Sequence, residues 1–159
     1  MFRQSLRSLA RVNKFAGVRT YAEAANSDVL KLSLALPHTA IYNNKAITQV
    51  NVPGASGEMG ILANHVPIVE QLKPGVVEVI EEAGSTKYFI SGGFVNVLPN
   101  SKVNISTVEA FKLEDFSAEK VKTLLAEAQK NAASADEAVS AEANIQIEVL
   151  ESLQAAGVH

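Results

Sequence analysis

The stretch VVEVIEEAGSTKYFISGGFVNV, residues 76–97, decides what kind of chain this is. Val76, Val77, Val79 and Ile80 form a β-branched run. A four-residue turn, Glu82-Ala83-Gly84-Ser85, stops it, and Tyr88, Phe89 and Ile90 resume. Two β-branched or aromatic runs around a glycine-containing turn read as a hairpin. Gly92-Gly93 interrupts again before Phe94, Val95 and Val97.

The same punctuation continues in both directions. Leu30, Leu32, Leu34 and Leu36 alternate with Lys31, Ser33 and Ala35, a period of two. Ile47, Val50 and Val52 suggest a strand that stops at Pro53-Gly54. After Pro99-Asn100-Ser101, Val103 and Ile105 alternate with Asn104 and Ser106. Short strands at this spacing predict an antiparallel β-sandwich or barrel of about eight to ten strands.

From Ser117 onward alanine replaces the β-branched residues. Ser117 is placed to cap a helix, with Glu119 in its first turn. Val121, Leu124, Leu125 and Ala128 form its apolar stripe. Asn131 to Ser134 breaks the run, and Ser134-Ala135-Asp136-Glu137 has the form of a capping box opening a second helix. The second stripe is Val139, Ala143, Ile147, Leu150 and Leu153, and the pair should form an antiparallel hairpin. Ile145 and Val149 lie beside that stripe and widen the apolar arc beyond what one neighbouring helix covers. They are candidate contacts with another protein, or with the sandwich.

The ends of the chain differ in charge. Arg3, Arg7, Arg11 and Arg19, all of its arginines, lie in the first nineteen residues together with Lys14, and the first acid is Glu23. A basic, serine-containing, acid-free amphipathic start predicts a mitochondrial transit peptide over residues 1–21, with processing near Tyr21–Ala22. A nucleic-acid-binding arm fits less well, because the remainder carries nine lysines against seventeen acids, a formal balance of −8. The expected organisation is residues 1–21 as transit peptide, 22–28 as a short lead, 29–114 as sandwich and 115–159 as helical hairpin.

The segment GEMGILANHVP, residues 57–67, holds the residues that invite a chemical reading. A phosphate loop needs a Gly-Lys pair, and the sequence has none. Gly54, Gly57 and Gly60 recur every three residues between strands, which is not the dinucleotide fingerprint. They suit a turn and close strand approach. Ser56, Glu58 and His65 could be arranged as nucleophile and base, but no nucleophile elbow surrounds them, and Ser91 lacks one too. No cysteine is available and His38 and His65 stand alone, so no metal-ligand spacing appears. No apolar run approaches the ~20 residues that cross a bilayer as a helix.

The stretch VPGASGEMGILANHVPIVEQLKPGVVEV, followed by YFISGGFVNV and an alanine-rich helical pair, resembles the family of F-type ATP synthase subunits called delta in mitochondria and epsilon in bacteria. The resemblance spans nearly all of the chain after residue 21. It implies a rotor component without catalysis or cofactor, on the matrix side of the inner membrane. Such a subunit grips the gamma shaft, rests on the polar loops of the c-ring and lies near the small mitochondrial epsilon subunit. It implies that Glu58 and His65 approach the ring. Bacterial relatives that bind ATP do so through arginines following an acidic residue in the hairpin. Here Asp136 is present and arginine is not, so nucleotide sensing is not expected. The other reading of the residues is a free-standing matrix regulator, a ligand-sensing sandwich with a helical lid.

Overall fold

The computed structural model describes residues 28–157. The basic segment with Arg3, Arg7, Arg11 and Arg19, and the expected processing point, lie outside the described residues. Ten strands are described: β1 Leu30–Ala35, β2 Ala40–Ile47, β3 Gln49–Gly54, β4 Gly57–Ile61, β5 Ile68–Leu72, β6 Gly75–Glu81, β7 Gly84–Ile90, β8 Gly93–Leu98, β9 Lys102–Thr107 and β10 Ala110–Lys112. A single 3-10 turn, Leu113–Asp115, leads to α1 Ala118–Ala132 and α2 Glu137–Ala155.

The strands pair in the order β10-β7-β6-β3-β5-β8-β9-β1-β2, with β4 on the other side of β3. Every pairing is antiparallel except β1 with β9. That exception departs from the all-antiparallel expectation. Local alternation gives strands and not their neighbours, and β1 and β9 meet only after some seventy residues of chain.

The core is made from one side of each strand. Leu30, Leu32 and Leu34 are buried, as their alternation predicts, with Val50, Val52, Val77, Val79, Val95, Val97, Val103 and Ile105. Each such side chain contributes about 1.5–3 kcal/mol by leaving water. Two glycines are required by close approach. A Cβ on Gly54 would stand 2.7 Å from the Gly57 carbonyl oxygen across a two-residue turn. A Cβ on Gly93 would run into the Ser106 carbonyl of β9.

Side chains close the sheet where backbone pairing stops. β2 is one end of the order and pairs through its backbone with β1. The Tyr42 and Tyr88 hydroxyls approach to 3.4 Å, with their rings edge to face at 5.9 Å. Lys45 Nζ donates to both oxygens of Glu81 at 2.7 and 2.8 Å and sits 5.2 Å from the Tyr42 ring centroid. The joint between β2 and the β6–β7 hairpin is therefore two tyrosines and an ion pair.

The run Tyr88-Phe89-Ile90 is buried at all three positions, against the alternation of a half-exposed strand. Tyr88 and Ile90 join the core, and Phe89 points the other way. A strand reads as continuously apolar when both its faces are covered. The helices supply the second cover: Phe89 packs with Val121 of α1 and Leu153 of α2, flanked by Val76, Leu113, Phe116, Val149 and Leu150.

Two expectations about the helices change in detail. The second helix is capped by Asp136, which accepts from Ala138 N at 2.9 Å and Val139 N at 3.5 Å. Ser134 accepts from Asp136 N instead, so the cap lies two residues later than expected, and Val139 at the third helical position cannot complete a capping box. A carboxylate at the cap meets both the free amides and the positive end of the helix dipole, which favours it over a serine hydroxyl. Leu124, counted in the first stripe, is 50% exposed.

Replacing Asp136 by alanine should destabilise the hairpin by about 1 kcal/mol, and Ser134→Ala by clearly less, in urea unfolding followed by helical circular dichroism. Burial first, then the Tyr88 hydroxyl beside it, pushes the Tyr42 phenol well above its ordinary value of 10.0. A folded-state value raised above the unfolded one means that this stabilisation is complete below pH 10 and is lost as pH rises beyond it. Tyr42→Phe should remove that part of the alkaline loss, measured as the difference in unfolding midpoint between the two proteins from pH 9 to 11.

Candidate functional site

The segment 57–67 is not one loop. Gly57–Ile61 is strand β4, paired along its length with β3 through Pro53↔Glu58 and Val50↔Ile61. Residues 62–67 alone form a loop. Short glycine-flanked strands are hard to recognise because glycine weakens the β signal.

Glu58 and His65 are not brought together by any described contact. Glu58 lies across from Pro53 near the β3–β4 turn, exposed, at the rim of a cleft of about 710 Å³. The end of α2 forms the opposite wall with Ser152 and Ala155. Across its floor Asn51 donates to Glu78 at 3.0 Å and accepts from Gln49 at 2.6 Å, and Lys87 stands 3.8 Å from Glu78. His65 lies beyond the far end of β4, half-buried, its Nδ1 2.8 Å from the Val66 carbonyl. That loop is tied to the β8–β9 turn by Asn64 N donating to Ser101 Oγ at 2.9 Å.

The nucleophile arrangement is not assembled. The Ser56 hydroxyl donates to Glu70 at 2.8 Å, which fastens the β3–β4 turn to β5. Among the described residues no group of three or more metal-ligating side chains gathers. No described helix is long and apolar enough to cross a membrane.

Of the apolar pair on the second helix, the structure separates the members. Val149 packs into the Phe89 cluster between helices and sandwich. Ile145 is 65% exposed.

A larger surface went unread in the sequence. On the outer side of β5, β8 and β9, Gln71, Phe94 and Ser106 stand in one cross-strand row, and Val69, Asn96 and Asn104 in the next. Val69 is 70% exposed and Phe94 58%. None of the six is charged. The signal was available: Val95 and Val97 cannot face the core unless Phe94 faces out.

The comparisons with known proteins bear on these surfaces. The family model described as "ATP synthase, Delta/Epsilon chain, beta-sandwich domain" matches residues 29–112. A second, "Fungal epsilon subunit of F1F0-ATP synthase C-terminal domain", matches residues 116–155. The chain belongs to the delta/epsilon family of ATP synthase subunits.

Relatives named ATP synthase subunit delta, mitochondrial, include that of Pichia angusta, 68% identical over 98% of this chain and 99% of its own. That of Saccharomyces cerevisiae is 56% identical over 93% of each. A chain of the Euglena gracilis mitochondrial ATP synthase, from an OSCP/F1/c-ring structure in rotational state 1, superposes with a TM-score of 0.79. It is 34% identical and covers 98% of this chain and 90% of its own. A chain from the Tetrahymena thermophila central stalk and c-ring shares the fold, with a TM-score of 0.61 at 14% identity over 80% of this chain and 95% of its own. Membership of this family and the mitochondrial relatives agree with the resemblance read from the GEMGIL, HVP and FISGGF motifs.

The two apolar positions on α2 should respond differently to truncation. Val149→Ala should cost about 1–2 kcal/mol of stability, as a half-buried methyl pair leaves the Phe89 cluster. Ile145→Ala should stay within about 0.5 kcal/mol. Parallel urea unfolding of the two variants measures both.

Proposed function

We propose that this chain works as a non-catalytic rotor subunit of the mitochondrial ATP synthase, peripheral to the matrix side of the inner membrane. It couples rotation of the c-ring to the gamma shaft and, through the shaft, to ATP synthesis in the catalytic head. The observation that carries the reading is the uncharged outer sheet face around Val69 and Phe94, set on a close-packed sandwich. A soluble protein seldom leaves an aromatic and a β-branched side chain bare side by side without a partner to cover them. This face is assigned to gamma, the largest and most permanent neighbour.

Glu58, exposed at the β3–β4 end of the sandwich, is assigned to the c-ring loops. His65 is assigned to the same neighbour, from the opposite end of β4. Ile145 is assigned to a further stalk subunit, the small mitochondrial epsilon, while Val149 serves chiefly to hold the hairpin on the sandwich.

The mechanics follow from the fold. Each elementary charge crossing 100 mV releases about 2.3 kcal/mol. A connector has to pass that work on without deforming. Backbone pairing that links all ten strands, through one residue pair between β3 and β5, with a close-packed core, gives a body with few soft internal degrees of freedom. The chemistry that makes ATP needs nothing from this subunit beyond its fit.

Purification of the complex from detergent-solubilised membranes tests the reading. The chain should come with gamma and the c-ring. Phe94→Ala should weaken its retention by about 2 kcal/mol while leaving its circular dichroism unchanged. A cysteine at position 58 (Glu58→Cys) should crosslink to a ring loop. Recovery of the chain free of these subunits would favour a matrix regulator and end the rotor assignment.

A further inference from the structure

Strand β5 carries a charge where its own alternation calls for an apolar side chain. Ile68, Glu70 and Leu72 lie on one side of the strand. Ile68 packs against the core and Leu72 is buried in it. Glu70 stands half-buried between them, level with Val95 of β8. A carboxylate in such a row costs stability unless its oxygens meet donors. Among the described residues no lysine forms an ion pair with it. Its donors come from the β3–β4 turn: Ser56 Oγ donates to Glu70 Oε1 at 2.8 Å, and Ser56 N to the same oxygen at 3.2 Å.

The place of this clasp in the fold gives it meaning. β4 joins the strand order only through β3, and β3 meets β5 at one residue pair, Gly54↔Leu72. Two backbone bonds flank that pair, Ala55 N to the Gln71 carbonyl at 2.8 Å and Lys73 N to the Pro53 carbonyl at 3.0 Å. Described backbone bonding from the turn to β5 ends at Ala55, and the Glu70 side chain fastens the next residue. Glu58 follows two residues further on, exposed. On β5 itself, Val69 and Gln71 on either side of Glu70 belong to the uncharged outer face. One side chain thus connects the turn that carries Glu58 to the strand that presents that face.

We infer that Glu70 is a positioning residue of the rotor, holding the β3–β4 turn so that the ring contact at Glu58 and the gamma contact on β5 move as one piece. The inference rests on the rotor reading and adds what joins its two contacts. A turn released from β5 would follow the ring while the sandwich lagged behind it. A charge pointing inward on a sparsely paired strand also discourages pairing with other chains. That purpose needs only a polar group in the row, whereas the clasp needs an acceptor within reach of Ser56.

The experiment uses the assembled complex, reconstituted into vesicles. In a Glu58→Cys background, Ser56→Ala and Glu70→Leu should each slow crosslinking to the ring loop about two- to tenfold, the equilibrium factor of a lost hydrogen bond. With Glu58 restored, Glu70→Leu should lower the protons pumped per ATP hydrolysed. Urea stability of the same chain should not fall, because leucine fits the row of Ile68 and Leu72. Glu70→Gln keeps an acceptor and should restore most of both readouts. Glu82→Leu, at an exposed acid outside β5, should match wild type. Unchanged crosslinking and pumping in Glu70→Leu overturn the inference. So does a loss of pumping that merely parallels lost stability, or a Glu70→Gln chain as defective as Glu70→Leu. Those results leave the rotor reading standing. Failure of position 58 to reach the ring in an otherwise wild-type complex removes the ring assignment and the inference together.

Discussion

Phe89 points out of the sandwich, and the shape of the molecule follows from the need to cover it. Its neighbours Tyr88 and Ile90 belong to the core, so the β7 strand is apolar on both faces. A bare phenylalanine on the outer side of β7 would leave some of the largest apolar area in the chain in water. Val121, Leu153, Phe116 and their neighbours close over it, with Phe116 edge-on to Phe89 at 5.7 Å. This one cluster decides which side of the sandwich the hairpin occupies and how its helices are rotated.

The other sheet face is left bare as a consequence. Two short helices cannot cover both sides of the sandwich. The uncovered side presents Val69 and Phe94 among amides and hydroxyls, without a carboxylate in the two rows. The hairpin keeps its nine acids exposed, and Ile145, one turn before Val149 on the same face of α2, is left uncovered. The chain thus presents two surfaces of different character, an uncharged one on the sheet and an acidic one on the hairpin. A subunit held between several neighbours needs distinct faces, because like surfaces would permit exchange of partners.

Much of this was readable in advance. Leucines at positions 30, 32 and 34 bury as their spacing says, and the hairpin around Glu82-Ala83 forms where the turn residues stand. The glycine at position 54 serves a tight turn, as its place after Pro53 suggests. The strand Gly57–Ile61 was hidden by its two glycines, and the cap moved from Ser134 to Asp136 because two good capping residues lay close together. The parallel β1–β9 pairing and the separation of Glu58 from His65 left no local trace. Val149 and Ile145 looked equivalent on one helix, and only the position of the sandwich half-buried one and left the other on the surface.

The amino-acid order alone determined the element types, the family motifs and the segregation of charge, since each depends on residues close together in the chain. Tertiary structure decided which strands meet and which apolar residues remain uncovered. Those outcomes depend on contacts between segments far apart in sequence, where periodicity says that a face is apolar but not what will lie against it.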